Sequence, residues 1–377
     1  MDTYNIYKDI NARTQGEIYI GVVGPVRSGK STFIKHFAEK LILPFMSDGA
    51  GKERTKDELP QSAAGRTVMT TEPKFIPREA CVINPAQDIS MKIRLIDCVG
   101  FMIDGATGVV EDGKERLVKT PWYDYEIPFS EAAEFGTRKV IKDHSTVGIV
   151  MTTDGSIGEL PRDSYKAAEA ATIEELKKIG KPFVVVVNSK NPAAKSAAEC
   201  VDEIKKAYGA EAVSLDCEQL TLDDVNRTLE LLLNSFPING MEFYFDRWIE
   251  TLPDDNEIKQ AMVECAGQIL DRITYIKDFN KDSIKVENKY IEDVRSEPVD
   301  MADGIIRLSF KVDENLYYDM LSSIAGEKID NEYELINLIK EYAKEKSALS
   351  RYNSAIDTVR QKGYGVVSPS KIGRAHV

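Results

Sequence analysis

No run of apolar residues in this chain is long enough to cross a bilayer, and no cysteine pattern is present that would staple a fold or hold zinc. The longest apolar runs, such as residues 183–187, have the length of a buried strand and not of a membrane span. Asp2, Lys8, Asp9 and Arg13 interrupt the N-terminal stretch before a signal-peptide core could form, so export is not expected. The five cysteines, Cys81, Cys98, Cys200, Cys217 and Cys265, are odd in number and lack any C-x-x-C spacing. That argues against a disulfide framework and favours a reducing cytoplasm. Basic residues are also in deficit: 49 Lys and Arg against 62 Asp and Glu leave a formal charge of -13. Such a field opposes nonspecific attraction to nucleic acid or anionic lipid, and no nucleic-acid partner is expected. Internal repeats and low-complexity tracts are missing too, so the expectation is an ordinary soluble protein.

What is present is an alternation of short apolar strands with amphipathic stretches of helix length. At 377 residues the chain has room for two or three domains. Strands are expected at 18–23, 93–96, 147–151, 183–187 and 212–215, with helices at 163–179, 193–208 and 222–233. This is the pattern of an α/β domain with a mostly parallel sheet, occupying residues 1–237. Phe236-Pro237 followed by Asn239-Gly240 reads as a boundary, because proline disfavours helix before it and Asn-Gly is a turn pair. A smaller α+β middle domain is expected over 238–370. Its clearest strand alternates Ile306, Leu308, Phe310 and Val312 with Arg307, Ser309 and Lys311, so one face should be buried. Leu335, Tyr342, Leu349 and Ile356 recur at heptad spacing, accompanied by Leu338, Tyr352 and Val359, and mark a long amphipathic helix. Glu345 breaks that stripe, which favours a helix packed on its own domain's sheet over a coiled coil. Ile372–Val377 read as the translation of a common sequencing adapter, and Lys371 fits it as well. Residues 371–377 are therefore expected to be non-native, with a further native C-terminal portion absent.

Directly after the first strand comes Gly24-Pro25-Val26-Arg27-Ser28-Gly29-Lys30-Ser31, which fits G-x-x-x-x-G-K-[ST] and leads, with Thr32, into a helix. A loop of this kind wraps the α and β phosphates of a nucleotide with backbone N–H groups and the positive end of the following helix. Lys30 would reach the β and γ phosphates, and the Ser31 hydroxyl would hold Mg2+. A chance glycine-rich turn is a poor alternative with a strand before it and a helix after it. Downstream, Asp97-Cys98-Val99-Gly100 has the form Asp-x-x-Gly of regulatory GTPases. There Asp97 would stand on the metal side and the Gly100 amide would sense the γ phosphate. Between the two motifs, Thr67 to Pro73 occupies the place of a first switch, so Thr70 or Thr71 is expected to reach the metal and the γ phosphate; Arg66 lies close by. The order of motifs is that of a P-loop NTPase of the translation-factor GTPase (TRAFAC) type.

Two parts of the GTPase set are altered. The guanine-specifying Asn-Lys-x-Asp is represented by Asn188-Ser189-Lys190-Asn191. Asn188 is kept as a nucleotide-side residue, but the aspartate that would accept two hydrogen bonds from guanine is the neutral amide of Asn191. ATP is therefore the expected nucleotide. The glutamine that orients water in many GTPases is Phe101 here. A switch threonine, a residue of the insertion at 101–129 or an arginine from a neighbouring molecule would have to serve instead. A GTPase-type switch and a nucleotide-binding scaffold with negligible turnover are the competing readings, opposed respectively by the altered base motif and by intact Lys30, Thr70 and Asp97.

The stretches 24–32, 58–65 (Glu-Leu-Pro-Gln-Ser-Ala-Ala-Gly), 69–75, 95–100, 120–123 and 144–155 together closely resemble the stage IV sporulation protein A family of endospore-forming bacteria. The resemblance continues to Gly363-Tyr364-Gly365. It implies an ATPase of the mother cell that polymerises irreversibly around the forespore as the base of the spore coat. It also implies contacts with a small amphipathic membrane-anchor protein and with other coat proteins, and so membrane association through partners. Carried over to this sequence, Lys30 and Ser31 are the phosphate and magnesium groups, Thr70 and Thr71 the sensor pair, and Asp97 the metal-side acid. His144 falls in a family-like stretch, but a lone histidine reads more readily as structural.

Overall fold

The computed structural model describes residues 3–47, 49–60, 73–86, 89–103, 105, 110–111, 114–158 and 160–367. Two units emerge: Met1–Phe243 with Gly267–Lys285 and Ser296–Leu308, and Tyr244–Ala266 with Val286–Arg295 and Ser309–Val377.

The first unit is built on a six-stranded sheet in the order β6-β5-β4-β1-β3-β2. Its strands are β1 (Glu17–Val23), β2 (Lys74–Ala86), β3 (Ile89–Asp97), β4 (Val147–Thr153), β5 (Phe183–Asn188) and β6 (Ala212–Leu215). Every neighbouring pair is parallel except β2 with β3 at the edge, which is antiparallel. Every residue of β4 and β5 is buried, as a central parallel strand covered on both faces requires. That burial explains why Val184 to Val187 form a continuous apolar run instead of an alternating one.

Alternate residues of the strands feed two cores. On one face Ile18, Ile20, Val22, Leu95, Ile149 and Val186 pack with α1 (Thr3–Arg13) and α2 (Lys30–Phe37), the latter through Phe33, Ile34 and Phe37. The opposite face, with Val23, Ile96, Val150, Val185 and Val187, is anchored at Val140 and Ile141, just beyond α3 (Phe129–Lys139). It is further covered by Ile173 and Leu176 of α4 (Asp163–Ile179) and by Cys200 and Ile204 of α5 (Lys195–Tyr208). The helix α6 (Leu222–Asn234) starts in a capping box in which the Thr221 hydroxyl accepts from Asp224 N and the Asp224 carboxylate accepts from Thr221 N. Most expected elements are present close to their expected limits. The edge strand β2 was not anticipated.

Further along are β7 (Gly240–Tyr244), α7 (Glu257–Arg272), β8 (Ile291–Ser296), β9 (Ile305–Val312), α8 (Glu314–Ala325) and α9 (Glu332–Lys362), the three strands forming a sheet in the order β7-β9-β8. In β9, Ile306, Leu308, Phe310 and Val312 are buried, as their alternation predicts. The packing expected for α9 is not found: Tyr342, Leu349, Tyr352, Ile356 and Val359 remain 45–57% exposed. Length gives the reason. A helix of 31 residues spans about 46 Å, whereas an eight-residue strand spans about 27 Å, so the sheet cannot cover the stripe.

Candidate active site

The phosphate-binding loop runs from the buried end of β1 into α2. Helix α2 is preceded by Gly29 as its N-cap residue, whose φ of 90° is left-handed, and no side chain caps it, which leaves the N–H groups of its first turn to a ligand. Gly29 is required for a second reason: a Cβ there would lie 2.2 Å from Asn188 Nδ2. Ser28 Oγ donates to Pro25 O at 2.9 Å. Lys30 is buried, with Nζ 2.6 Å from Pro25 O and 3.3 Å from Gly24 O. Burial pulls its ammonium below the ordinary lysine value, against the opposing influence of Cys98 and Asp97. Not every loop residue presents a free donor. Val26 is buried against Phe101 and Tyr165, and its N–H donates to Phe101 O at 2.9 Å. Arg27, at φ 62°, holds the left-handed turn with its side chain half-buried, and Thr32 lies half-buried in the first turn of α2.

Asp97, the last residue of β3, accepts from Ser31 Oγ at 2.8 Å through Oδ2. Its other oxygen, Oδ1, is buried and lacks a hydrogen-bond partner among the described residues. Burial pushes this carboxyl above the usual carboxylate range, while Lys30 and Ser31 act in the opposite direction. A hydroxyl and a carboxylate with an uncommitted oxygen form a hard-oxygen donor set that suits Mg2+. Gly100, at φ 97°, closes on the loop so tightly that a Cβ would meet Gly24 O at 2.1 Å. Its N–H donates to Thr137 Oγ1 at 3.2 Å. Phe101 N donates to Gly24 O at 3.2 Å, and the Phe101 ring is buried with Val26, Ile103, Tyr165 and Ala168. Phe101 thus serves as an anchor in this chain.

The ends of β4 and β5 form the base side. Both ends of the Asn188 amide are engaged within the protein: Nδ2 donates to Ser28 O at 3.2 Å and Oδ1 accepts from Cys217 N at 3.2 Å. The residue ties the base side to the phosphate loop. Ser189 Oγ donates to Asp154 Oδ2 at 2.7 Å and accepts from Asn191 N at 3.2 Å. Asp154 Oδ1 accepts from both N and Oγ of Ser156. Burial raises the Asp154 carboxyl, but the bonds from Ser156 and Ser189 outweigh it and hold the group below its ordinary value. Next to this network, Arg162 makes a two-pronged pair with Glu169, at 2.6 and 2.9 Å, and also donates to Thr152 Oγ1 at 3.0 Å.

Lys30, Ser31, Asp97, Gly100 and Asn188 are therefore brought together. Thr70, Thr71 and Arg66 lie outside the described residues, as do 61–65 of the Leu-Pro-Gln-Ser-Ala-Ala-Gly stretch and the tail at 371–377. His144 is exposed, with its ring against Phe75 at 5.4 Å, and takes no part in the site. Thr137, Asp154 and the Arg162–Glu169 pair were not identified from sequence.

A mostly parallel α/β sheet that delivers such a loop, lysine and metal-side aspartate to one edge has the organisation of a P-loop NTPase, here carrying an ATPase domain. The chain belongs to the stage IV sporulation protein A family. Residues 1–237 match the pattern described as stage IV sporulation protein A, ATPase domain, and residues 238–372 that family's middle domain. Among curated relatives, stage IV sporulation protein A of Clostridioides difficile (strain 630) is 40% identical over 368 residues, covering 97% of this chain and 75% of that protein. The protein of the same name from Bacillus subtilis (strain 168) is 37% identical over 371 residues, covering 98% of this chain and 75% of its own length. A role in sporulation and ATP binding follow from that membership. No helix among the described residues is long and apolar enough to cross a membrane.

Proposed function

We propose that the first domain is of the translation-factor GTPase (TRAFAC) type and hydrolyses ATP with Mg2+. In this reading the nucleotide cycle drives self-assembly of the protein into a static polymer around the forespore, in the mother cell, as the base layer for coat assembly. The antiparallel edge strand β2 beside β3, together with the order of phosphate loop, Asp97 and Asn188, supports the type. Lys30 exchanges the Pro25 and Gly24 carbonyls for the β and γ phosphates. Ser31 and Asp97 hold the metal, Thr70 and Thr71 sense the γ phosphate, and the Gly100 amide turns toward it. Mg2+ held by Ser31 and Asp97 would supply positive charge to offset the negative charge that develops on the phosphates in the transition state. Partners proposed from the family resemblance are a small amphipathic membrane-anchor protein and other coat proteins.

The observation that carries the choice of ATP is the base side. Where a GTPase has lysine and aspartate, Ser189 is turned inward onto Asp154, and Asn191 offers no carboxylate for guanine. Phosphate release measured side by side should give a kcat/KM for ATP several-fold above that for GTP; preferential GTP turnover would overturn the reading. Assembly should follow hydrolysis. The protein should move to the pellet on ultracentrifugation with MgATP and stay in the supernatant with a non-hydrolysable analogue, and equal pelleting with both would separate assembly from turnover.

A further inference from the structure

Helix α3 leads out of the insertion after Asp-x-x-Gly, and its buried residues include Phe129, Ala132, Ala133, Gly136 and Thr137. Thr137 is fully buried, and its hydroxyl is committed in both directions: Oγ1 donates to Ala133 O at 2.8 Å and accepts from Gly100 N at 3.2 Å. We propose that Thr137 is a positioning residue that holds the Gly100 amide away from the γ phosphate, making α3 the element that registers which nucleotide is bound. The proposal rests on the reading above, in which the Gly100 amide senses the γ phosphate.

Three observations support it. First, Gly100 stands at the mouth of the phosphate loop, where a Cβ would meet Gly24 O at 2.1 Å and Lys30 Nζ at 2.7 Å. Second, the adjoining backbone is fastened to the loop by Phe101 N to Gly24 O and Val26 N to Phe101 O, and by the buried Phe101 ring. The amide of Gly100 is therefore the exchangeable one of the pair, since its partner is a side chain on another element. Third, a buried N–H needs an acceptor and donates fully to only one at a time. A phosphate oxygen, being charged, is the stronger acceptor and displaces the neutral hydroxyl. The Thr137 bond then exists in the ADP arrangement and is absent in the ATP arrangement, and such a difference between two states is what lets a ligand shift the balance between them.

Thr137→Val removes the acceptor with little change of shape. Because the lost bond stabilises only the ADP arrangement, the ratio of Kd for MgADP to Kd for the Mg complex of a non-hydrolysable ATP analogue should rise about fivefold, which is about 1 kcal/mol. Thr137→Ser, which keeps the hydroxyl, should leave the ratio within about twofold of wild type, an outcome that a purely packing role for the threonine would not give. An unchanged ratio in a folded Thr137→Val protein, or equal shifts of both Kd values, overturns the proposal. Hydrogen exchange on the wild type separates it from the reading beneath it. Equal exchange around Gly100 with MgADP and with the analogue means that this amide does not sense the γ phosphate, and both fall. A difference there combined with an unmoved ratio removes Thr137 alone. Should Thr137→Val not fold, exchange in residues 129–139 decides: faster exchange with the analogue than with ADP supports the proposal, and no change overturns it.

Discussion

Lys30→Ala should weaken ATP binding at least about a hundredfold while the protein keeps its melting temperature. The ammonium lies beneath the loop, 2.6 Å from Pro25 O, on a side chain that is almost wholly buried. Charge held in such a water-excluded place acts on phosphate oxygens with little screening, and losing one preorganised donor of this kind costs about 3–4 kcal/mol. Stability should not follow affinity down. Burial already penalises the charged lysine in the folded protein, so alanine removes that penalty along with the contacts to Gly24 and Pro25. Titration with a fluorescent ATP analogue and a melting curve on the same sample check both halves. Normal ATP affinity would contradict the assignment of the loop, and a collapsed melting curve would show that the lysine is chiefly structural.

Glu169→Ala should act in the opposite sense, lowering stability strongly. The Arg162 and Glu169 side chains are 14% and 2% exposed, and the pair is met from both prongs of the guanidinium. Truncating the acid leaves a buried positive charge with only the neutral Thr152 Oγ1 as its side-chain acceptor among the described residues, at a cost of about 3–5 kcal/mol. For a domain of this size that is a fall of roughly 10 °C in melting temperature. The backbone of Arg162 also lies against Gly155, where a Cβ would come within 2.9 Å of Arg162 N. The pair therefore braces the turn that carries Asp154 and Ser156. A calorimetric scan is the check, and a shift under about 2 °C would mean that water or another acceptor reaches the guanidinium.

Features with a local spacing were legible in the sequence. Gly24 to Ser31, the strand before it and the helix after it need only neighbouring residues to be recognised, and the fully buried β4 and β5 declare themselves as apolar runs. Edge strand β2 did not, because Pro77, Glu79 and Pro85 break the alternation and the pairing with β3 shifts register between Ile76 and Cys81. Thr137 was hidden for a different reason. A threonine inside a helix carries no signal of its own, and its partner Gly100 is 37 residues away. Asp154 sits in Asp154-Gly155-Ser156, which reads as a turn, and only the fold brings Ser189 to it. The exposed stripe of α9 shows the limit of periodicity, which reports an apolar face without saying what covers it.

The placement of Phe101 bears on who controls turnover. A glutamine at this position in a regulatory GTPase lies at the surface, where a second protein can push it into line with the attacking water and so accelerate the reaction. An aromatic ring packed under Val26, Ile103 and Tyr165, with its own N–H and C=O both spent on the phosphate loop, offers no such handle. In the proposed ATPase cycle an outside activator finds nothing to grip at this residue, and any acceleration in trans would have to enter by another group, such as an arginine from a neighbouring molecule.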